Sequence, residues 1–318
     1  MGYALRPLLP ALFGLTLFAA ALHAQASDTV LDLPADWQAG ETYRLERVMQ
    51  REQYQGEAQR LSTTATTRID VTVLRKLESG YVIRWTYGRT ELPGGAANDP
   101  FVIRMANLTE GMRLDMQTDA LGSVTALVNG QEVVAHYRRV MDATLAWMKE
   151  KGASDADMAQ VRAGAAQLMD PATVELLAVK EPTIFYAASG GTYQLGEPQA
   201  YEDLLPNPLG GRPLPSKAHF LLSDLNRAEN RALVEWRQTI DPDQAAAILR
   251  ESLMAVARRM NRPPPAEQDL PLIQVEDQAR FLFDTATGRP LSVNHERTIA
   301  IGPNRRIDRL TIRVVEGE

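Results

Sequence analysis

Between residues 41 and 128 the chain alternates. Tyr43, Leu45, Arg47 and Met49 fall on one side of a long stretch whose other side carries Arg44, Glu46 and Val48. In the Thr-rich segment 63–74, Ile69, Val71 and Val73 oppose Arg68, Asp70 and Thr72. After the turn Glu78-Ser79-Gly80, Tyr81, Ile83, Trp85 and Tyr87 oppose Val82, Arg84 and Thr86. A period of two with one polar side predicts antiparallel strands, dry on one face and wet on the other. The Gly-, Ala-, Asn- and Asp-bearing stretch 93–100 predicts a loop. A further hairpin follows, with Met112, Leu114 and Met116 in one arm and Val124, Ala126 and Val128 in the other; Asn129-Gly130 closes this half.

The period then changes. Val133, Val134, Tyr137, Val140, Met141, Leu145 and Met148 recur three and four apart, which is one apolar stripe on a helix. Gly152 stops that helix, and Ser154 with Asp157 three residues on forms a capping start for the next, which carries Met158, Val161, Ala165 and Leu168. Asp170-Pro171 opens a third, with Pro at the first helical position, where its missing N–H costs nothing. Val174, Leu177 and Ala178 are expected to face inward, and Glu181-Pro182 to end the run. Residues 131–181 thus form a helical block that needs a sheet to lie on.

Residues 184–187 fit a short strand. The segment 188–216, broken by Gly190-Gly191, Gly210-Gly211 and five prolines, reads as a long irregular connection. Loops of that length are uncommon unless they cover or bind something, so it is the first candidate for a lid beside the plainer reading of a surface crossover. Residues 217–223 and 231–240 predict a hairpin, with Ala232, Val234, Trp236 and Ile240 on one face. Asp241-Pro242 starts a helix through Met260, with Leu249, Leu253 and Val256 in its stripe, and Pro263-Pro264-Pro265 makes a stiff stop. A closing meander runs through Ala279, Phe281 and Phe283, the return 291–301, and Leu310, Ile312 and Val314. About ten strands is close to where an open twisted sheet curls. The expected fold is α+β: a strongly curved antiparallel sheet or half-barrel with helices packed on its concave face. The expected organisation is one β-rich domain over 27–318, with β halves at 41–130 and 217–318.

The first residues bear on the address. Arg6 supplies a positive start, Leu8 to Leu22 an apolar run, and Ala24-Gln25-Ala26 a small-x-small site before Ser27. That is the form of a cleavable signal peptide, covering residues 1–26. The run is short for a bilayer span and holds Pro10 and Gly14. No later stretch approaches the roughly 20 apolar residues of a membrane helix, so no transmembrane segment is expected after cleavage. The 318 residues include no cysteine, which excludes disulfides, thiolate metal sites, cysteine nucleophiles and lipid attachment through cysteine. The address expected from these features is the bacterial periplasm or the medium.

Composition excludes disorder, with 45% hydrophobic and 23% charged residues. Removing 1–26 takes away Arg6 and no acid, so 34 basic residues become 33 against 40 acidic ones, a net charge of −7. A mildly acidic chain is a poor nucleic-acid partner. No Gly-x-Ser-x-Gly elbow, phosphate loop or His-Glu-x-x-His occurs, so no catalytic residue, metal ligand or cofactor is assigned. His136, His219 and His295 are far apart in sequence, and His295-Glu296 in a strand would point to opposite faces. Asp224-x-Asn226 followed by Glu229 lacks the glycine of a calcium loop and reads as a hairpin turn.

One constellation stays open. Tyr137, Met141, Leu145 and Met148, with Trp147 off the stripe, gather adaptable side chains on one helix; they suit an apolar ligand site, and an ordinary core is the plainer reading. With a signal peptide, Asp/Gly hairpins such as 119–122 and helices meant for a concave sheet, the layout resembles the bacterial periplasmic lipoprotein-carrier-like half-barrel proteins. The closing Phe281-Leu282-Phe283-Asp284 with Thr287-Gly288 is similar to the last hairpins of exported bacterial proteins. The resemblance implies handling of an apolar small molecule or lipid, without assigning a site. Two readings lead, a non-enzymatic envelope protein that binds or carries such a ligand and a structural or protein-interaction protein with no ligand pocket whose partner is another envelope protein; a hydrolase comes third. N-terminal sequencing of the exported protein is expected to begin at Ser27; Met1 retained in the membrane fraction overturns the export reading.

Overall fold

The computed structural model describes residues 29–168, 171–205, 207, 209, 212–259 and 272–315. The signal-cleavage residues Ala24, Ala26 and Ser27 lie outside them, as do Met260 and Pro263-Pro264-Pro265. The described strands are β1 (Val30–Asp32), β2 (Thr42–Gln55), β3 (Ala58–Leu77), β4 (Gly80–Glu91), β5 (Arg113–Thr118), β6 (Val124–Leu127), β7 (Thr192–Gln194), β8 (Pro198–Leu205), β9 (Leu214–Asn226), β10 (Arg231–Ile240), β11 (Ile273–Asp284), β12 (Arg289–Ile301) and β13 (Asn304–Val315). The helices are α1 (Pro100–Ala106), α2 (Gly130–Glu150), α3 (Asp155–Leu168), α4 (Pro171–Phe185) and α5 (Pro242–Arg259).

Eleven strands form one antiparallel sheet in the order β6-β5-β4-β3-β2-β13-β12-β11-β10-β9-β8. It consists of two meanders joined where β2 pairs with β13, with Leu45 opposite Val314 and Met49 opposite Leu310. The free edges are therefore β6 and β8, and α2, α3 and α4 carry the chain from one edge to the other. A chain that makes this journey must cross one face. Burial shows which: Leu45, Ile69, Ile83, Trp85, Leu114, Val234, Phe281, Val293 and Ile312 are buried in one cluster with Val133 and Val134 of α2 and Val174, Ala178 and Phe185 of α4. The expected α+β half-barrel with helices against the sheet is the observed architecture. β1 and β7 form a separate two-stranded ribbon that leads Leu33, Ala35 and Trp37 into the same core. A second, smaller cluster lies under α5, where Ala245 and Ile248 meet Leu205, Leu214, Ile273 and Val275.

Local chemistry explains several boundaries. Gly152 takes φ 83° just past the end of α2, a left-handed position that glycine occupies without strain. Ser154 Oγ accepts from the Asp157 amide at 3.2 Å while Asp157 Oδ2 accepts from the Ser154 amide at 3.2 Å, a reciprocal cap for α3. Asn226 Oδ1 accepts from the Glu229 amide at 3.1 Å, so the Asp224–Glu229 stretch is the turn of the β9–β10 hairpin.

Five expectations need correction. α4 does not end at Glu181-Pro182 but runs through Pro182 to Phe185, and the Tyr186 amide still donates to the Pro182 carbonyl at 3.0 Å. Hence 184–187 is not a strand. An internal proline costs about 3 kcal/mol, and burying two large aromatic side chains just beyond it, Phe185 and Tyr186, offsets that. Leu177 faces solvent at 48% exposure, because Val174 and Ala178 take the buried face. The segment 188–216 is not irregular throughout: it contains β7, β8 and the start of β9. β8 has no apolar alternation because seven of its eight residues are exposed at an edge. Finally, 93–100 leads into α1, where Asp99 caps the Phe101 and Val102 amides and Pro100 takes the first turn.

Phe185→Ala is expected to cost about 3–5 kcal/mol in urea unfolding, because its ring is fully buried. Leu176→Ala, on the exposed side of the same helix, is expected to stay within about 0.5 kcal/mol. Equal losses from both would contradict the placement of α4.

Candidate functional site

The end of α4 is clamped to the sheet by aromatic rings. Tyr186 lies 5.3 Å from Trp37 and 6.1 Å from Trp85, centroid to centroid, and Phe185 lies 5.9 Å from Trp85. The Tyr186 hydroxyl is 2.6 Å from the Tyr43 hydroxyl and accepts from Trp85 Nε1 at 3.4 Å. Burial pushes the Tyr186 phenol up to about 12. Burial, and then the neighbouring Tyr186, raise Tyr43 as well. Higher on α4, Glu181 accepts from Arg47 at 2.7 Å and from the Tyr87 hydroxyl at 3.5 Å, a half-buried ion pair that ties the helix to β2 and β4.

The inner face of the sheet carries a polar belt between its two apolar clusters. His295 on β12 sits 2.9 Å from Asp277 Oδ1 on β11, both buried, with Arg297 Nε 3.8 Å from Asp277 Oδ2. Gln238 on β10 donates to Ser216 Oγ at 2.7 Å and to Asp203 Oδ2 at 3.3 Å. The His295–Asp277 and Gln238–Ser216 contacts pair groups that would otherwise be costly to bury. Glu296 points to the opposite face and accepts from Arg309 at 2.7 Å, so His295 and Glu296 are on opposite sides of the strand, as their adjacency implies.

A cavity of about 380 Å³ opens beside this belt, between the C-terminal end of α4 and the inner face of β8–β10. Its wall is aromatic: Tyr201 and Phe220 stack at 5.8 Å with their planes 13° apart, and Phe220 lies 6.3 Å from Trp236 and 6.5 Å from Phe281. Trp236 Nε1 donates to the Tyr201 hydroxyl at 2.9 Å. Ile184, Tyr186 and Ala187 close the helix side, and Ser123 and Val124 close the β6 side. Both free edges of the sheet thus contribute wall, Val124 from β6 and Tyr201 and Asp203 from β8. The size is in the range of small-ligand sites, and an apolar lining with a few fixed polar groups is their usual make-up. A second hollow of about 520 Å³ lies on the outer face, where Glu235, Arg280, Glu296 and Arg309 line it. There Arg309 pairs with both Glu296 and Glu52, and the surface is a charged, wet one.

The four residues singled out on the helical block are all on α2, and none lines this cavity. Leu145 is buried, and Met141 and Met148 are half-buried. Tyr137 packs on the main core, with its ring edge-on to His136 at 6.2 Å, and burial raises its phenol. Trp147 is half-buried, stacked on Phe101 at 6.2 Å with Arg104 over its ring. The residues missed in sequence are Tyr201, Asp203, Phe220 and Gln238. The available signal was aromatic residues on facing positions of neighbouring strands: Phe220 pairs with Trp236, and Val234 beside it pairs with Phe281. Among the described residues no three His, Asp or Glu side chains are grouped to hold a metal ion. No helix of the described residues is long and apolar enough to cross a membrane.

No protein-family model matches the chain. No curated protein matches it in sequence. Among solved structures, a lipovitellin studied for its lipid–protein interactions overlaps 88% of this chain at 9% identity and a TM-score of 0.42. The overlap spans only 26% of the lipovitellin chain. An outer membrane channel from Pseudomonas putida overlaps 88% of this chain and 97% of its own at 8% identity and a TM-score of 0.21. The functional reading therefore rests on this chain's own residues.

The raised tyrosines set an alkaline limit. A phenol whose folded pKa lies above its unfolded value of 10.0 stabilises the fold below pH 10 and loses that contribution as pH rises toward about 12. The melting temperature is expected to be level through neutral pH and to fall from about pH 10 upward. Tyr186→Phe should cost about 1 kcal/mol at pH 7 and flatten the alkaline fall. An unchanged alkaline profile in that variant contradicts the buried placement of Tyr186.

Proposed function

We propose that this chain is an exported, non-enzymatic envelope protein that binds or carries an apolar or amphiphilic molecule in the cavity between α4 and β8–β10. The observation that carries the reading is the aromatic wall Tyr201–Phe220–Trp236, backed by the buried Phe281, beside open space at the gap between the two free sheet edges. Tyr201 is exposed and Phe220 and Trp236 are half-buried, so their rings gain by covering a guest, since burying apolar area contributes about 25 cal/mol per Å². The position also gives the ligand a route, because the gap between β6 and β8 is where the sheet leaves itself open. Export follows from the N-terminal pattern described above and puts such a carrier in the periplasm or the medium. The second reading, a protein-interaction role, draws on Leu176 and Leu177 of α4 at 71% and 48% exposure and on the edge strand β8 with Leu204 at 60%.

A terminally brominated long-chain alcohol tests the first reading. Bromine quenches indole fluorescence at contact, so Trp236 should be quenched saturably while Trp85 and Trp37, buried in the aromatic clamp, are spared. Trp236→Phe should remove most of the quenching. The same ligand should raise the melting temperature, by about 2.7 kcal/mol of added stability at a hundredfold excess over Kd. Ala187→Phe, an exposed residue on the cavity wall, should fill the space and weaken binding without lowering stability. If no long-chain alcohol quenches Trp236 or moves the transition, the carrier reading falls and the interaction reading replaces it.

A further inference from the structure

We propose that the cavity selects a cationic, quaternary-ammonium-type headgroup on its amphiphile; this rests on the cavity being a ligand site. The aromatic residues on its wall are Tyr186, Tyr201, Phe220, Trp236 and Phe281, and Asp203 is its one ionisable acid. No Lys, Arg or His lines it. The faces of aromatic rings carry partial negative charge and attract cations, quaternary ammonium groups most characteristically. Asp203 adds a full negative charge at the rim. Among the described residues it is in no ion pair, and Gln238 donates to it at 3.3 Å. A carboxylate has about four acceptor positions, so this contact leaves it able to face a cation.

The neighbourhood holds that charge in place. The Gln238 amide is shared between Asp203 and the buried Ser216, which fixes its orientation. Tyr201 stays a neutral phenol, because burial raises its pKa and the nearby Asp203 carboxylate raises it further. Lys217, on the neighbouring strand, is drawn away to Asp241 at 2.8 Å. An anionic headgroup entering here would meet Asp203 with no basic side chain on the wall to balance it. A trimethylammonium group meets the rings of Tyr201, Phe220 and Trp236 and one carboxylate, needs no hydrogen-bond donor, and leaves its alkyl part for Ile184 and Val124.

Calorimetric titration, below micelle concentrations, with an alkyltrimethylammonium, its neutral tert-butyl isostere and an alkyl sulfate of the same chain length tests this. The ammonium is expected to bind about tenfold more tightly than the isostere, and the sulfate more weakly than both. Asp203→Asn should reduce the ammonium preference about fivefold while leaving the isostere's affinity unchanged. In the wild type the preference should shrink as salt rises, which gives a readout independent of any variant's folding. Equal binding of ammonium and isostere, or tighter binding of the sulfate, overturns the headgroup inference and leaves the carrier reading standing. If none of the three binds the wild type, both fall.

Discussion

The fold depends on one buried contact, the insertion of Phe185 and Tyr186 at the end of α4 among Trp37, Tyr43 and Trp85. A sheet of two meanders joined at β2 and β13 would otherwise be an open surface with two unpaired edges. The helical block spans those edges, and the aromatic clamp fixes where it lands. Its hydroxyls are paired: the Tyr186 hydroxyl meets Tyr43 and Trp85, and the Tyr81 hydroxyl donates to the Ala35 carbonyl at 2.6 Å, holding the chain that brings Trp37 in. That is why an internal proline in α4 is tolerated. The cost of Pro182 is local, and what it leads into is an aromatic cluster in which Trp85, Phe185 and Tyr186 are fully buried.

The clamp also makes room. Because α4 is pinned at Tyr186 against the first meander, its last residues stand over the second meander without filling the space in front of Phe220 and Trp236. The inner face there is neither a dry core nor a wet surface. It is a belt in which buried polar groups such as Gln238, Ser216, Asp277 and His295 pair with one another, flanked by apolar clusters above and below. Trp236 joins the two features, lying 6.1 Å from His295 on one side and bonded to Tyr201 on the other. The Trp236–Tyr201 hydrogen bond fixes those two rings relative to one another.

Much of this was legible in the sequence and some was not. Tyr81, Ile83, Trp85 and Tyr87 alternate because one face of β4 is wholly core, and the three-and-four spacing of α2 reports its packing side. Legibility failed where tertiary burial overruled local rules. Glu181-Pro182 reads as a helix end, and only the destination of Phe185 and Tyr186 explains why it is not. β8 reads as loop because an exposed edge strand needs no apolar alternation; its pairing of Glu202 with Lys217 and of Tyr201 with Ala218 is set by β9. The site suffered most from this. Half of its aromatic wall lies on β8 and β9, inside or next to the stretch taken for a connection, while the Met-bearing face of α2 drew attention through composition alone.

The most direct measurement is the anomalous density of bromine in crystals of the protein soaked with a terminally brominated long-chain alcohol. The structure predicts a peak between the end of α4 and the inner face of β8–β10, within van der Waals reach of Phe220, Trp236 or Phe281. A peak instead against Met141, Leu145 and Met148 would move the site to the helical block, and no ordered bromine within the concave face would contradict the claim that α4 leaves an occupiable cavity there.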